Sequence, residues 1–257
     1  MQTLCFISHK GGVGKTTLAA ALSVAAHERG LQVAVLDFDT PTIGLTRFAT
    51  LRSKAGLWAP TLLSAPRLLS TRTPNSREAG FVIGQPVSTA RASGIDLLLI
   101  DLEAVTNALW LKAAACLASD RVVTPVGDSP LDIQSVLGAD GGELSDFIGS
   151  AGPRRPDWII VRNRLGHLRT RLAAEMGERL DAHRVDCGYR LVSGLSDRVA
   201  YREMFLHGSS PLDPSLDPRP LTMSALAAKS EMRRLACDLL EAPSGFTLGG
   251  WARAANI

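Results

Sequence analysis

The run Lys10-Gly11-Gly12-Val13-Gly14-Lys15-Thr16-Thr17 has the residue types and spacing of a phosphate cradle. Closely spaced glycines let successive backbone N–H groups turn toward one point, and a helix beginning directly after them adds the partial positive charge of its N-terminus. Lys15 is spaced to reach the β- and γ-phosphates of a nucleotide, and the Thr16 hydroxyl to ligate Mg2+. An apolar run precedes the segment and an Ala-rich one follows it, the strand–loop–helix context such a cradle requires; a chance glycine turn would not bring the Lys-Thr pair with it. Carboxylates stand at the ends of other apolar runs: Asp37 and Asp39 in Leu36-Asp37-Phe38-Asp39, and Asp101 after Ile100. In a parallel sheet the strand ends open on the crevice where ligands bind, so these acids would converge on the loop.

The elements that would hold them there are short apolar runs. Thr3–Ile7, Gln32–Leu36, Ile95–Ile100, Arg121–Val126, Asp157–Val161 and Gly188–Val192 read as strands buried on both faces. Thr17–Arg29 is helix-forming, and Leu165, Leu168, Leu172, Met176 and Leu180 recur at helical spacing. This alternation predicts an α/β fold, a doubly wound, mostly parallel sheet with helices on both faces, as one domain over residues 1–257. Ser53–Ala92, with Pro60, Pro66, Pro74 and Pro86, reads as an irregular excursion over one end of the sheet. Ser209–Pro220, carrying Pro211, Pro214, Pro218 and Pro220, reads as a rigid connector to a last helix near Thr222–Glu241, with a short tail beyond it.

Composition narrows the class. Hydrophobic residues make up 46% and charged residues 21%, which supplies a core and argues against disorder. The net charge of +3 excludes a polycation, but Ala151–His207 holds 11 Arg against 7 acidic residues, so a polyanion-binding face belongs in the C-terminal half. The scattered Cys5, Cys116, Cys187 and Cys237 form no CxxC pair; a zinc site or disulfide framework is not expected, and a reducing cytoplasm fits. No apolar stretch approaches ~18 residues, so no transmembrane segment is expected, and the first strand runs into glycines before a signal-peptide core can form.

His9 occupies the position where the general phosphate loop has its first glycine, and Lys10 adds a second lysine ahead of the glycines. This resembles the deviant Walker A form of the ParA/MinD group of ATPases. The resemblance implies ATP and Mg2+ as cofactors and a homodimer when ATP is bound, with Lys10 reaching across the interface to the partner's nucleotide. It further implies that Asp39 orients or activates the attacking water, that Asp37 supports the Mg2+ shell and that Asp101 is the Walker B aspartate. Asp157-Trp158-Ile159-Ile160-Val161-Arg162-Asn163-Arg164, Thr124-Pro125-Val126-Gly127-Asp128-Ser129 and Gly194 to Phe205 are similar to the MipZ family within that group. In the group the Asn-Arg pair borders the base, so Asn163 would offer its amide to adenine and Arg164 would pack beside the ring. The family implication is a cytoplasmic, nucleoid-associated ATPase whose dimers bind DNA non-specifically, restrain FtsZ in placing cell division, and are recruited by a ParB-type partner.

Two departures fall where the group reads its nucleotide. The switch after Walker B, usually Asp-x-Pro-Gly, is Asp101-Leu102-Glu103-Ala104-Val105, and Thr40-Pro41-Thr42 follows Asp39. Losing Pro and Gly alters the allowed backbone, and Glu103 brings negative charge toward phosphates. The expected enzyme is therefore a slow ATPase, with a hydrolysis-impaired paralogue as one alternative and an ATP-dependent ligase of the dethiobiotin or cobyrinate type as another. An iron–sulfur reductase would need cysteines near the switch, whereas Cys116 reads as a buried small residue. Candidate DNA contacts are Arg162, Arg169, Arg171, Arg198 and Arg202. The last helix carries Leu226, Leu235 and Leu239 but also Glu231 and Asp238 on its polar face, which favours a packed helix over a lipid anchor.

Overall fold

Seven strands form one parallel sheet in the order β3-β2-β4-β1-β5-β6-β7. They are β1 (Gln2–Phe6), β2 (Val33–Asp37), β3 (Thr61–Leu63), β4 (Leu97–Asp101), β5 (Arg121–Val126), β6 (Asp157–Arg162) and β7 (Arg190–Ser193). The computed structural model describes residues 1–39, 42–65, 76–104, 109–137, 144, 148, 156–166, 170–214 and 222–241. Within these the helices are α1 (Lys15–Glu28), α2 (Gly44–Lys54), α3 (Ser76–Ala92), α4 (Leu109–Leu117), α5 (Pro130–Leu137), α6 (Arg171–Cys187), α7 (Val199–His207) and α8 (Met223–Leu240). Strand β1 pairs with β4 on one side and β5 on the other, so the order of connection reverses at β1. That reversal opens the crevice at its C-terminal end, where the glycine loop lies.

Residue parity along the strands divides the core. Leu4, Phe6, Val33, Val35, Leu97 and Leu99 face α1 and α8, while Cys5, Ala34, Leu36, Leu98 and Ile100 face α3 and α4. Helix α1 is buried on nearly every side between the sheet and α8, which explains its run of alanines: small side chains let the two helices approach closely. Leu235 and Leu239 of α8 are fully buried there, so the last helix is packed, as its mixed charge suggested. Among the described residues no helix is long and apolar enough to cross a membrane.

The six expected strands are present within a residue or two. The excursion is more ordered than its prolines implied: α2 extends to Lys54, β3 adds an edge strand, and α3 runs for 17 residues with Pro86 inside it. Proline removes the N–H that would bond to the carbonyl of Val82. Here it is buried on the same face as Ile83 and Ala90, and packing against the sheet offsets the lost bond. Pro66 and Pro74 lie outside the described residues, as do Pro218, Pro220 and the tail from Ala242. The helix expected from Leu165 begins only at Arg171, capped by Thr170, whose hydroxyl accepts from Ala173 N at 3.0 Å. Leu165 instead bridges to Ser196 and Leu172 is exposed; Leu168 is not among the described residues, and among those that are, Met176 and Leu180 are the members of the stripe in the core.

Candidate functional site

The loop between β1 and α1 is shaped by its glycines. Gly14 has φ of 97°, and a Cβ there would lie 2.3 Å from Asn163 Nδ2, so the position needs glycine for both backbone and space. Lys15 opens α1 almost wholly buried, its Nζ donating to Ser8 Oγ at 3.1 Å. Burial lowers the proton affinity of this ammonium, and Asp101, Asp39 and Glu103 work to raise it. Thr16 Oγ1 donates to Asp101 Oδ2 at 2.6 Å, leaving the hydroxyl lone pairs for another ligand. Gly44, in the first turn of α2, lets that helix approach: a Cβ there would meet Thr16 Cγ2 at 2.9 Å.

The three strand-end carboxylates do gather here. Asp37 and Asp101 are register partners on adjacent strands. Asp37 accepts from the backbone N–H of Asp39 at 3.0 Å and of Thr46 at 2.9 Å, so it shapes the turn after β2 and caps α2, and burial raises its pKa. Asp101 is fully buried; burial pushes its pKa up to about 7 against the hydrogen bond from Thr16, and its Oδ1 meets no hydrogen-bond partner among the described residues. A buried carboxylate with an unmatched oxygen beside a hydroxyl fits Mg2+ carried in with phosphates. Such an ion takes few ligands from the protein, and among the described residues no three His, Cys, Asp or Glu side chains form a metal cage by themselves.

Beside Asp37 and Asp101, which do not line it themselves, lies a cavity of about 680 Å³, within the range of small-molecule pockets. Gly11, Gly12, Gly14, Lys15, Thr16 and Thr17 form its floor, Asp39, Thr42, Glu103 and Ala104 one wall, and the segment from Leu195 to Phe205 the other. Val13 is buried beneath the loop. Lys10 is not part of the lining; its half-exposed ammonium pairs with Asp132 of α5. Arg164, at φ of 57°, donates to Gly12 O at 2.6 Å, and Ile43, at φ of 39°, leads into α2. Among the described residues, the two left-handed residues other than glycine thus flank this site.

Asn163 borders the cavity, and its amide also bonds within the protein. Nδ2 donates to Val13 O at 2.9 Å, Oδ1 accepts from Leu195 N at 3.0 Å, and the residue is almost fully buried. One amide hydrogen and one lone pair thus tie the phosphate loop to the segment just after β7. Arg162 and Arg198, two of the candidate DNA contacts, are engaged within the protein. Arg162 donates to Asp128 at 2.8 Å and Ala173 O at 2.7 Å, filling the space above Gly177. Arg198 is held by Glu231 at 2.7 Å. Arg171 and Arg202 remain exposed, Arg202 paired with Asp197, and Arg169 lies outside the described residues.

Glu231, expected on a solvated face, organises one wall. It accepts from Ser196 N and Oγ, from Arg198 Nε and Nη2, and from the Tyr201 hydroxyl. Burial would raise its pKa, but these bonds outweigh that and hold it below the usual carboxylate range. Its place between Ala228 and Leu235, three before and four after it in the buried stripe, was the available signal. The stabilisation belongs to the ionised form, so it is complete above the ordinary carboxylate pKa and is lost as pH falls through the lowered one. Glu231→Gln should therefore cost about 2 kcal/mol of stability at neutral pH and little in acid. Thermal melts at both pH values check this; equal losses at both would mean the charge does not matter.

Two family models match the chain. Residues 4–109 match the CobQ/CobB/MinD/ParA nucleotide binding domain, and residues 147–242 match ATPase MipZ. Among curated proteins, it is 32% identical over 161 residues to Protein IncC of Escherichia coli, covering 53% of this chain and 44% of that one. It is 28% identical over 173 residues to the probable plasmid-partitioning protein ParA of Thermus thermophilus, covering 59% and 53%. The chain thus spans about half the length of these relatives. In fold it is similar to apo McdA of Cyanothece, with a TM-score of 0.62 at 18% identity over 82% of this chain and 91% of that one. It is likewise similar to the MinC:MinD cell division protein complex of Aquifex aeolicus, with a TM-score of 0.60 at 17% identity over 94% and 97%.

Proposed function

We propose that this chain, a MipZ-like member of the ParA/MinD group, is an ATP- and Mg2+-binding switch that dimerises on ATP and hydrolyses it slowly. One observation carries the reading: the loop presents two lysines, of which Lys15 lines the chain's own cavity while Lys10 sits outside it against Asp132. A lysine so placed is available to a nucleotide held by a second copy. Lys15 would neutralise the β- and γ-phosphates, Thr16 and Asp101 with Asp37 behind them would hold Mg2+, and Asp39 would orient water. The ion would spread the charge that develops on the phosphates as the bond breaks. Arg164 would border the base.

In this reading the dimer acts in the cytoplasm and on the nucleoid. It would place division or cargo through a ParB-type protein and FtsZ, with the exposed Arg171 and Arg202 among the arginines available to DNA phosphates. A second observation favours weak turnover: Glu103 lines the cavity and its charge is felt by Lys15. The test is size-exclusion with light scattering. Wild type should be monomeric without nucleotide and with ADP, and dimeric with a non-hydrolysable ATP analogue and Mg2+. Lys10→Ala should bind the analogue yet stay monomeric. A Lys10→Ala dimer would remove the cross-interface role.

A further inference from the structure

We propose that Lys112 is a positioning residue that fixes the segment after Asp101 to the phosphate loop, and that discrimination between ATP and ADP depends on it. This rests on the nucleotide reading above and adds to it a residue outside every motif. Lys112 is the only charged residue of α4, in the run Leu109-Trp110-Leu111-Lys112-Ala113-Ala114-Ala115-Cys116-Leu117. Its neighbours one turn on, Ala115 and Cys116, are core, and Lys112 itself is 3% exposed. A solvated lysine would lie on the opposite face. This one crosses the interior and donates to Ala104 O at 2.7 Å and to Ser8 O at 3.3 Å.

Those two carbonyls stand just beyond the ends of adjacent strands, Ser8 after β1 and Ala104 after β4. Ser8 is itself a junction: its hydroxyl accepts from Lys15 at 3.1 Å and donates to Lys10 O at 2.8 Å. Lys112 thereby links both lysines of the phosphate loop to Ala104, which lines the cavity. The chain lacks the proline that would restrict this segment covalently, so Ala104 is set by what its peptide group bonds to. An ammonium donating to its carbonyl fixes that peptide plane next to Lys15 and Glu103, where the third phosphate would sit. Leucine or methionine would fill the same core volume without burying a charge, so packing alone does not call for lysine.

The experiment compares wild type with Lys112→Met and Lys112→Gln. Titrations with Mg2+-ADP and with a Mg2+-bound non-hydrolysable ATP analogue are run beside thermal melts. Lys112→Met should fold at or above the wild-type melting temperature and keep ADP affinity within about twofold, while affinity for the ATP analogue falls about tenfold, the loss of one charge-assisted bond. Lys112→Gln, which retains an N–H donor without the charge, should keep more of the preference for ATP than Lys112→Met. Equal losses for both nucleotides, or no loss for either, would make Lys112 a core residue only and overturn the proposal. Identical behaviour of the Met and Gln variants would overturn the hydrogen-bond basis and the proposal with it. A wild type that binds neither nucleotide would instead overturn the reading on which this one stands.

Discussion

Lys15→Ala is expected to abolish useful nucleotide binding, weakening it by roughly a hundredfold or more, about 3 kcal/mol. Lys15 is the cation on the floor of the cavity, buried, with Asp101, Asp39 and Glu103 near enough to influence its protonation. Without it those acids would face the phosphates with no cationic side chain on the cavity floor, where backbone N–H groups and the α1 N-terminus remain. The substitution also removes a buried charge that hydrogen-bonds the Ser8 hydroxyl, so the fold should survive it. A fluorescent ATP analogue titrated into wild type and variant checks the first point, and a thermal melt the second. Wild-type affinity in a folded Lys15→Ala protein would end the assignment of Lys10 to Thr17 as a phosphate loop.

What could be read from the sequence was whatever is fixed by neighbours in the chain. The glycine loop, its flanking strand and helix, and the acids at the ends of β2 and β4 follow from local spacing, and the structure brings them to one crevice. What escaped depends on partners far along the chain. Arg162 and Asn163 look alike as polar residues ending a strand, yet one is taken up by Asp128 and the other by Val13 and Leu195. Glu231 looked solvated because its acceptors' partners, Ser196, Arg198 and Tyr201, lie about thirty residues before it. Pro86 looked like a breaker because the cost of proline is local, whereas its compensation, a buried face against the sheet, is tertiary. β3 has three residues, too few for an alternation to register.

Hydrolysis is where the resemblance to the group and the residues of this chain pull apart. The backbone of Asp39 is anchored: its N–H donates to Asp37 Oδ1 at 3.0 Å, and its carbonyl accepts from Ile43 N at 2.6 Å and from the Thr42 hydroxyl at 3.3 Å. None of these bonds uses the carboxylate, which is half-buried at the cavity wall, where in the proposed reading it would orient water. Removing a group of that kind costs on the order of 10²–10⁴-fold in rate. Asp39→Ala should therefore fall to background turnover and accumulate as a dimer with ATP and Mg2+, because the phosphate loop is untouched. Wild type should turn over slowly, since Glu103 sets a negative charge beside the developing phosphate charge and Ala104 relies on a hydrogen bond for its conformation. The double substitution Glu103→Pro with Ala104→Gly removes that charge and supplies the missing backbone restraint, and should raise the steady-state rate of phosphate release. If the double variant were no faster than wild type, the switch residues would not be what limits the reaction. If Asp39→Ala kept full wild-type turnover, the carboxylate would have no part in handling water, and the catalytic group would have to be sought among the other acids of the cavity, with Glu103 the first to test.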